Sequence, residues 1–361
     1  MNSRKIIQVV PYIDSIYGGP PYVAKSLNNL FNEEGYKSKL LTTGRSEKID
    51  NAIFFKLTTT KFWYSYDFML NSIKCIKNSD TVFIHGLYSF ITLWTSVIAF
   101  IYSKKIYLLP HGMLDKNSIN SSGFFKNSIR KIFLYTFGIF QVKTSNKVIF
   151  NSQKEKDNSI LVKNSIIIPN GVDLDYINNI KCNKEYFKQD KISLFFLGRL
   201  NQIKGIEIIL ESVNRLDNNI KNKIELVIAG TGDGRYVNFL NDISNNNIVK
   251  FIGHVNEQKK YCYLKQCDIY LQPSFTEGLS ISMLEAMACK VSMITTNRVG
   301  IFEELIKKNA AKVIDYDVDQ LGLAISELIF DKNEYKENSY KMVKDRYDWD
   351  IVIKFYKELI L

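Results

Sequence analysis

Cysteine and histidine are scarce in this sequence of 361 residues, and neither is arranged as in a metal site. The five cysteines stand at positions 75, 182, 262, 267 and 289, without a C-x-x-C pair or an even set at short spacing. This spacing indicates neither a zinc site nor disulfides. A reducing compartment is therefore the simplest prediction.

Other absences exclude whole classes of enzyme. Gly230, Gly232 and Gly234 do not form G-x-G-x-x-G, because Arg235 occupies the last position, so the nicotinamide-binding fingerprint is missing. Neither G-x-x-x-x-G-K-[ST] nor H-E-x-x-H occurs. Asp-x-Asp pairs can hold a divalent cation on a sugar diphosphate, but those at 173/175, 315/317, 317/319 and 348/350 lie away from the cations discussed below. We expect turns and helix caps there, and no metal site.

Long apolar runs are few. The run from Ile6 to Val10 contains Gln8 and stops at Pro11, which predicts a first strand and not a signal peptide. Residues 81–103 carry no formal charge and are long enough to span a bilayer. Their polar residues favour a buried strand followed by a buried helix instead. We therefore expect a cytoplasmic protein.

The positive charge is concentrated in the first half of the chain. The formal net charge is +11; residues 1–175 hold 22 Lys and Arg against 12 Asp and Glu, whereas residues 176–361 hold 26 against 25. Between residues 104 and 163 the excess is 11 to 3, with aromatic residues interspersed over 124–140. This pattern is typical of a solvated face beside a core helix, or of a surface that binds anionic lipid on the inner face of the cytoplasmic membrane. No nucleic-acid-binding module accompanies the charge, so nucleic acid is not an expected partner.

Apolar runs without alternation recur along the chain, and amphipathic helical segments separate most of them. These predicted strands cover residues 5–10, 39–43, 81–85, 105–109, 147–151 and 165–168, then 192–197, 225–229, 249–252, 269–272, 291–295 and 311–314. Such runs suit strands buried on both faces of parallel sheets. The predicted fold is α/β, with Rossmann-like, doubly wound domains at 1–175 and 176–345 that face each other across a cleft. Ligands bind beyond the carboxyl ends of such strands.

Two cations follow the first strand of the second half. Gly198 and Arg199 come directly after this strand, and Lys204 with Gly205 opens a helix at about Ile206. Cations in front of helix N-terminal amides can bind a diphosphate and stabilise the charge of a leaving group. A solvated loop is the alternative interpretation.

The stretch from Pro273 to Ala288 is the most informative. It places Glu277 on a loop after a strand and Glu285 eight residues later, inside the next helix. Each carboxylate can accept hydrogen bonds from a vicinal diol, one on a sugar and one on a ribose. Gly278 permits close approach of a ligand. Free amides at the helix start follow in the same stretch, at Leu279, Ser280 and Ile281. Paired glycosidase acids are the competing interpretation, which the nearby cations disfavour.

The first half contributes weaker candidates. Gly18 and Gly19 follow the first strand and offer bare amides to an oxyanion, although a plain tight turn would look the same. His111 follows a strand end and is predicted to be functional. His85 ends another strand and is nearly as well explained as a core residue. His254 is predicted to be structural or to lie next to a nucleotide base.

Taken in order, these motifs resemble the family 4 retaining glycosyltransferases of the GT-B fold. The resemblance covers nearly the whole chain. It includes the glycine loop at 18–19, Pro-His-Gly at 110–112, the segment 168–173, the cations at 199 and 204, Ala-Gly-Thr-Gly at 229–232 and the Glu277/Glu285 stretch. The end of the chain, 346–361, resembles the terminal helix that packs back on the first domain in this fold.

The resemblance implies a role for each of these residues. Arg199 and Lys204 would bind the donor diphosphate, Glu285 the nucleotide ribose and Glu277 the hydroxyls of the donor sugar. The Gly19 amide would reach the phosphates, and His111 would lie near the sugar. The reaction would be metal-independent and would retain the anomeric configuration.

Donor and acceptor also follow from the resemblance. A UDP-sugar is the expected donor, with a GDP-sugar as the alternative, and no separate cofactor is expected. The usual Gly-Phe-Gly-Leu-Pro is replaced here by Gly-Leu-Ser-Ile at 278–281, so the accepted donor sugar is open. Members with a similar Pro-His-Gly-Met-Leu stretch often build bacterial surface polysaccharides on lipid-diphosphate carriers, which makes such a lipid or a growing glycan the expected acceptor. The alternatives are a nucleotide-sugar epimerase on this fold and a non-catalytic protein that binds sugar nucleotides.

Overall fold

A computed structural model of the chain describes residues 4–14, 18–44, 49–116, 130–161, 164–245 and 247–361. The chain divides into two compact units, and the division falls between Pro169 and Asn170. Unit 1 comprises residues 1–169 and 353–361, and unit 2 comprises residues 170–352.

Unit 1 contains a parallel sheet of seven strands in the order β3-β2-β1-β4-β5-β6-β7. The strands are β1 (Lys5–Tyr12), β2 (Lys37–Thr43), β3 (Ala52–Phe55), β4 (Thr81–His85), β5 (Lys105–Leu109), β6 (Lys147–Phe150) and β7 (Ser165–Ile167). The order reverses direction between β1 and β4, so the loops after these two strands border the crevice where doubly wound sheets bind ligands.

Helices accompany this sheet. Those described are α1 (Gly19–Glu33), α2 (Tyr66–Asn71), α3 (Ile73–Lys77), α4 (Phe90–Ile101), α5 (Ile139–Thr144) and α6 (Gln153–Asn158), with a π-helical turn at Leu134–Gly138. All five residues of β4 are buried, as expected of a strand covered on both faces. Half of the twelve residues of α4 are buried too, and Ser89 caps its N-terminus.

Unit 2 contains a second parallel sheet, with six strands in the order β10-β9-β8-β11-β12-β13. Its strands are β8 (Ile192–Leu197), β9 (Ile224–Ala229), β10 (Val249–Gly253), β11 (Ile269–Gln272), β12 (Ser292–Thr296) and β13 (Lys312–Ile314). The direction reverses between β8 and β11. The loops that carry the predicted cations and the first predicted acid therefore follow neighbouring strands.

The helices of unit 2 form two apolar layers with the sheet. They are α7 (Leu174–Asn179), α8 (Ile206–Arg215), α9 (Asn218–Lys221), α10 (Gly234–Asp242), α11 (Glu257–Gln266), α12 (Ile281–Ala288), α13 (Phe302–Lys307), α14 (Val318–Leu328) and α15 (Lys336–Met342). Asp173 and Asp317 cap α7 and α14 through their side chains, as expected for these Asp-x-Asp pairs.

The last helix, α16 (Trp349–Ile360), has its first residues in unit 2 and its residues from Ile353 onward in unit 1. Tyr356 packs edge-on against Phe83 of β4. The Tyr107 hydroxyl and the Arg4 guanidinium donate to main-chain carbonyls near the end of the chain. These contacts lie within unit 1.

The predicted fold class is confirmed, because both sheets are parallel and doubly wound. Of the thirteen strands in the described part of the chain, twelve fall on predicted runs, with bounds that differ by two residues at most. β3, a four-residue strand at the sheet edge, was not predicted, because its apolar run is too short to stand out. Among the described residues, no helix is long and apolar enough to cross a membrane. Residues 81–103 fold as a strand and a helix, as predicted.

The prediction that the cysteines form no disulfide is wrong. Cys182 and Cys262 are bonded to each other across a sequence separation of 80 residues. The pairing arises because α11 packs on the segment before β8: the Lys265 ammonium donates to the Ile180 carbonyl at 2.8 Å, and the ring of Tyr186 lies 4.4 Å from that of Tyr263. Contacts so distant in sequence leave no short-spacing pattern.

Candidate active site

The loops after β8 and β11 lie side by side in unit 2, because these strands pair through Ile269↔Leu194 and Tyr270↔Phe195. A main-chain hydrogen bond joins the two loops, from the Phe275 N–H to the Ile203 carbonyl at 2.8 Å. The loop after β8 therefore takes its position from the loop after β11.

Gly205 permits this close approach. Its φ is +69°, and a Cβ on it would lie 2.0 Å from the Pro273 carbonyl oxygen. Any other residue would clash with the neighbouring loop and strain its own backbone. The glycine also begins α8, next to Lys204.

Lys204 and Glu277 form an ion pair. Their side chains are 13% and 21% exposed, so the pair is largely withdrawn from water but open to a ligand. Glu277 is held in turn by the loop after β12: its N–H donates to the Arg298 carbonyl at 3.3 Å, and the Gly300 N–H donates to the Gly278 carbonyl at 2.7 Å. The structure thus brings a predicted phosphate ligand and a predicted sugar ligand into direct contact.

Arg199 lies at the start of the same loop but is exposed, and it forms no ion pair with any described residue. Gly198 precedes it, with the Lys204 side chain 3.9 Å from the place a Cβ would take. The structure therefore places both predicted cations on one loop and pairs one of them with an acid.

Glu285 is buried, with 2% of its surface exposed, on the second turn of α12. Its Oε1 accepts hydrogen bonds from the Lys260 ammonium at 2.6 Å and the Tyr261 hydroxyl at 3.0 Å. A buried carboxylate requires a partner charge and hydrogen bonds of this kind. Both of these contacts are to Oε1, so neither of them engages Oε2.

Lys260 and Tyr261 were not among the predicted site residues. They lie on α11, and the only available signal was that a buried glutamate on α12 needs a nearby cation. Nothing in the sequence pattern identifies which of the many lysines supplies it.

Residues 278–281 lead into α12. Leu279 is buried and its carbonyl accepts from the Asn170 side chain at 3.4 Å, whereas Ser280 is the N-cap residue. The first amides of an α-helix, here from Ile281 onward, have no intrahelical partner. They form a set of donors at the carboxyl end of the sheet.

In unit 1, the loop after β1 leads into α1, which begins at Gly19. Gly18 has φ +83°, a conformation that favours glycine, and proline occupies the first helical turn. Pro20 and Pro21 carry no N–H, so Gly19 is the amide at the start of this helix that can serve a ligand, and its role stays a prediction.

A chain of side chains runs from β1 to the loop after β5: Gln8 and His85 are buried, and His111 is partly buried. The Gln8 Oε1 lies 2.8 Å from His85 Nε2, and His85 Nδ1 lies 3.1 Å from His111 Nε2. With the amide oxygen as acceptor, His85 carries its proton on Nε2 and accepts at Nδ1, so His111 donates from Nε2. This arrangement leaves His111 Nδ1 as an acceptor for a further group.

Burial lowers the pKa of His111 to about 4, and burial together with His111 holds the pKa of His85 well below its usual value. Both imidazoles are therefore neutral at pH 7, which agrees with the proton assignment. His111 also has φ +51°, a strained conformation for a non-glycine residue. His254, by contrast, is exposed, so its predicted structural role receives no support.

Glu155, which holds the loop of His111, was not predicted from the sequence either. Its side chain is 3% exposed, and its two oxygens accept the Gly112 N–H at 2.5 Å and the Asn151 N–H at 2.8 Å. Burial raises the pKa of this carboxyl to about 7, against the opposing effect of these two hydrogen bonds. In the sequence Glu155 resembles any glutamate in a polar helix.

The architecture of the chain is that of known glycosyltransferases. Anabaena HepE, solved with UDP, aligns with a TM-score of 0.76 at 14% identity over 98% of both chains. WaaG, a glycosyltransferase involved in lipopolysaccharide biosynthesis, aligns with a TM-score of 0.72 at 15% identity over 98% of this chain and 99% of WaaG. The fold is therefore GT-B, the two-domain class of glycosyltransferases.

The family follows from sequence similarity. Residues 17–176 match the model of Glycosyltransferase Family 4, and residues 179–345 match that of Glycosyl transferases group 1. An uncharacterized glycosyltransferase of Methanocaldococcus jannaschii, MJ1069, is 30% identical over 71% of this chain and 68% of its own length. The O-antigen biosynthesis glycosyltransferase WclY of Escherichia coli is 30% identical over 41% of this chain and 44% of its own. The chain belongs to the family 4 glycosyltransferases, and it is an enzyme of the glycosyl-transferring class.

Proposed function

We propose that the enzyme moves a hexose-type sugar from a nucleotide diphosphate onto an acceptor, with retention of the anomeric configuration and without a metal ion. The contact between Lys204 and Glu277 is the observation that carries this proposal. A cation and an acid on adjacent loops can hold the two ends of one sugar phosphate, the cation on the phosphate and the acid on the sugar hydroxyls.

Glu285 is proposed to accept hydrogen bonds from the ribose of the donor through Oε2. Lys260 and Tyr261 then fix the carboxylate by its other oxygen. The amides at the start of α12 and of α1, the latter at Gly19, would supply donors to the phosphate oxygens, with Arg199 closing over them from its exposed position.

In the proposed step, the acceptor hydroxyl attacks the anomeric carbon on the face that the diphosphate leaves. The carbon–oxygen bond to the acceptor forms as the carbon–oxygen bond to the phosphate breaks. The acceptor proton passes to the departing phosphate oxygen. Lys204 stabilises the negative charge that grows on that oxygen. His111 is proposed to accept a hydrogen bond from the transferred sugar at Nδ1.

A UDP-sugar is the proposed donor, supported by the UDP bound to HepE, with a GDP-sugar as the alternative. A lipid-diphosphate-linked or growing surface glycan is the proposed acceptor. Relatives support this class: WclY takes part in O-antigen biosynthesis, and the GPI3 subunit of a yeast phosphatidylinositol N-acetylglucosaminyltransferase is 26% identical over 63% of this chain and 53% of its own.

Association with an anionic membrane on its cytoplasmic side belongs to the same proposal. Ile132, Tyr135 and Phe137 are 66%, 60% and 48% exposed, beside Arg130 and Lys131. Apolar side chains next to cations are suited to the boundary between headgroups and acyl chains. Residues 124–129, the first part of the basic stretch at 124–140, lie outside the described residues.

The test is a panel of UDP-, GDP- and ADP-sugars, incubated with the enzyme with and without a lipid-diphosphate acceptor in anionic vesicles. We expect nucleotide release that depends on the acceptor and is unaffected by a chelator. We also expect the transferred sugar to keep its anomeric configuration in the product. A donor sugar that is rearranged in the absence of acceptor would identify an epimerase instead. Donor binding without turnover would identify a non-catalytic protein that binds sugar nucleotides. Loss of activity on chelation that manganese restores would contradict the metal-independent mechanism.

A further inference from the structure

A cluster of two aromatic rings and one cation stands at the carboxyl end of the sheet in unit 2. Its members are Phe275 after β11, Arg298 after β12 and Tyr316 after β13. The guanidinium carbon of Arg298 lies 4.6 Å from the ring centre of Phe275 and 5.4 Å from that of Tyr316. The two rings meet edge to face, with their centres 5.3 Å apart. Attraction between the guanidinium and the ring faces therefore holds this cation in place.

The cluster borders the residues that are proposed to bind the donor. The Glu277 N–H donates to the Arg298 carbonyl at 3.3 Å, so the loops after β11 and β12 are joined there. The Tyr316 ring covers Gly205, because a Cβ on that glycine would lie 3.1 Å from the Tyr316 Cε2 atom. Gly205 directly follows Lys204, the ion-pair partner of Glu277. Arg298 is therefore carried by the loop that positions the acid proposed to bind the sugar.

Arg298 has no anionic partner among the described residues. It forms no ion pair with any of them, and its side-chain N–H groups donate no hydrogen bond to them. The carboxylates of the adjacent loops are engaged by other groups: Glu277 pairs with a lysine, Asp315 accepts from two side-chain amides, and Asp317 caps α14. A partly buried cation without a counter-charge is costly. The cluster is therefore suited to an anionic ligand.

The guanidinium is accessible to such a ligand. Phe275 is 44% exposed, so a ligand can reach the cluster from solvent. The N–H donors of a guanidinium lie in its plane and can bind both oxygens of a carboxylate at once. Contacts with the ring faces leave these donors unused. A planar carboxylate therefore fits the group that Arg298 presents.

The position of Arg298 indicates which end of the donor it contacts. Arg199 and Lys204 follow β8, and with the amides at the start of α12 they are proposed to bind the diphosphate. Arg298 lies instead on the loop that is bonded to Glu277, which is proposed to bind the sugar hydroxyls. In a hexuronic acid, the ring carbon that carries the carboxylate is next to one that carries a hydroxyl. An acid that holds this hydroxyl would bring the carboxylate close to Arg298.

We propose that Arg298 is a specificity-determining residue of the donor site and binds a carboxylate on the transferred sugar. The donor is then a nucleotide diphosphate linked to a hexuronic acid, whereas a neutral hexose leaves the guanidinium unpaired. This inference rests on the proposed donor site, and it names the donor sugar that the stretch at 278–281 left open. Lys204 keeps its role on the phosphate, and the sugar carboxylate has a cation of its own.

The experiment compares pairs of nucleotide sugars that differ only in the carboxylate. They are UDP-glucose and UDP-glucuronic acid, UDP-galactose and UDP-galacturonic acid, and GDP-mannose and GDP-mannuronic acid, with UDP and GDP as references. Binding is measured by calorimetry without acceptor. The wild type should bind the acidic member of one pair about tenfold or more tighter than the neutral member, because hydrogen bonds between charged groups are strong.

Two variants and a control assign this preference to Arg298. Arg298→Gln should abolish the preference for the acidic sugar and leave the binding of the neutral sugar and of the free nucleotide unchanged. Arg298→Lys keeps the charge and should retain part of the preference. Arg346→Gln removes an arginine that also lies over an aromatic ring of unit 2, 5.6 Å from the ring centre of Tyr347, and should change nothing.

Several results would overturn the assignment to a sugar carboxylate. A wild type without preference for any acidic sugar would do so. If Arg298→Gln weakened UDP or GDP as much as the acidic sugar, the cation would belong to the diphosphate. Equal weakening of every ligand, neutral sugars included, would leave Arg298 with a structural role only.

Turnover separates this inference from the transfer reaction on which it rests. Transfer from neutral donors alone would reject the carboxylate and keep the transferase. A preference for the acidic sugar that depends on Arg298, without turnover on any acceptor, would keep the assignment of Arg298 and reject the transferase. Failure of every one of these nucleotide sugars to bind would reject both.

Discussion

At the scale of single residues, two ion pairs distinguish the candidate site of unit 2. Lys204 binds Glu277 at the surface of the loops, and Lys260 binds Glu285 in a buried position. The first pair can open to admit a ligand, because both side chains keep some contact with solvent. The second is more static, since separating a buried pair leaves an uncompensated charge.

Replacing Lys204 by alanine should lower kcat about 100-fold. The variant removes a charge that stabilises the leaving diphosphate, an effect of roughly 3 kcal/mol on the transition state. Steady-state kinetics with the identified donor and acceptor measure it. Lys250→Ala, an exposed lysine of β10, is the control and should behave like the wild type. Near-normal turnover in the Lys204 variant would contradict its assignment to the diphosphate.

His111 should stay neutral from pH 8 down to about pH 5, and His85 should stay neutral well below its usual pKa. Because burial depresses both pKa values below the unfolded value near 6.5, the contribution of the two rings to stability is present above that value, and the part due to His111 is lost as pH falls through about 4. NMR of imidazole-labelled protein can follow both rings, with exposed His254 as the reference in the same chain. Protonation of His111 near pH 6.5 would show that the buried chain to Gln8 is not maintained.

Glu155 should have the opposite pH dependence. Its pKa is raised by burial to about 7, so the stability it contributes is full below about pH 4.5 and falls as pH rises through 7. Between pH 4.5 and 8 the free energy of unfolding of the wild type should drop by about 3 kcal/mol relative to Glu155→Gln. Urea unfolding across pH measures it. Asp157→Asn, exposed on the same helix, should give no such trend.

At the scale of elements, the site of unit 2 is a product of strand order. Because β8 and β11 are neighbours, loops about seventy residues apart in sequence meet, and glycine at 205 lets them touch. Gly230 serves the same purpose on the other side: a Cβ there would lie 1.8 Å from the Gly198 carbonyl oxygen. The loop after β8 is thus held between two close backbone contacts.

Comparing Gly205→Ala with Gly253→Ala distinguishes the effect of this backbone contact from the effect of backbone strain alone. Gly253 has nearly the same φ, +67° against +69°, but a Cβ on it would meet nothing within 4 Å. Gly253→Ala should therefore cost about 1 kcal/mol of stability, from strain alone. Gly205→Ala should cost more and should also reduce activity by displacing Lys204. Chemical unfolding and kinetics measure both. Equal stability losses with unchanged activity in the two variants would refute the role of the contact.

At the scale of the whole molecule, a disulfide ties the segment before β8 to α11, the helix that supplies Lys260 to Glu285. The long separation of its cysteines means that it removes much freedom from the unfolded chain. The bond also conflicts with the reducing compartment that the cysteine pattern suggested.

Without reductant, three thiols of the denatured protein should react with a thiol reagent, because Cys75, Cys267 and Cys289 are free. After reduction, five should react. Cys182→Ser should lower the free energy of unfolding of unit 2 by up to about 4 kcal/mol under these conditions. Cys75→Ser, a free thiol of unit 1, should leave that unit 2 transition unchanged. Five reactive thiols in the unreduced protein would show that the bond does not form in solution.

The sequence by itself determined the two parallel sheets, nearly all of their strands and the residues proposed to bind the donor. Buried strands require continuous apolar runs, and loops after such strands hold ligands, so both can be recognised locally. Only the tertiary structure decided the partners: Lys260 and Tyr261 on Glu285, Glu155 behind His111, and Cys182 with Cys262. Each of these pairs spans 24 to 80 residues, and a single helix or strand pattern carries no information about what will pack against it.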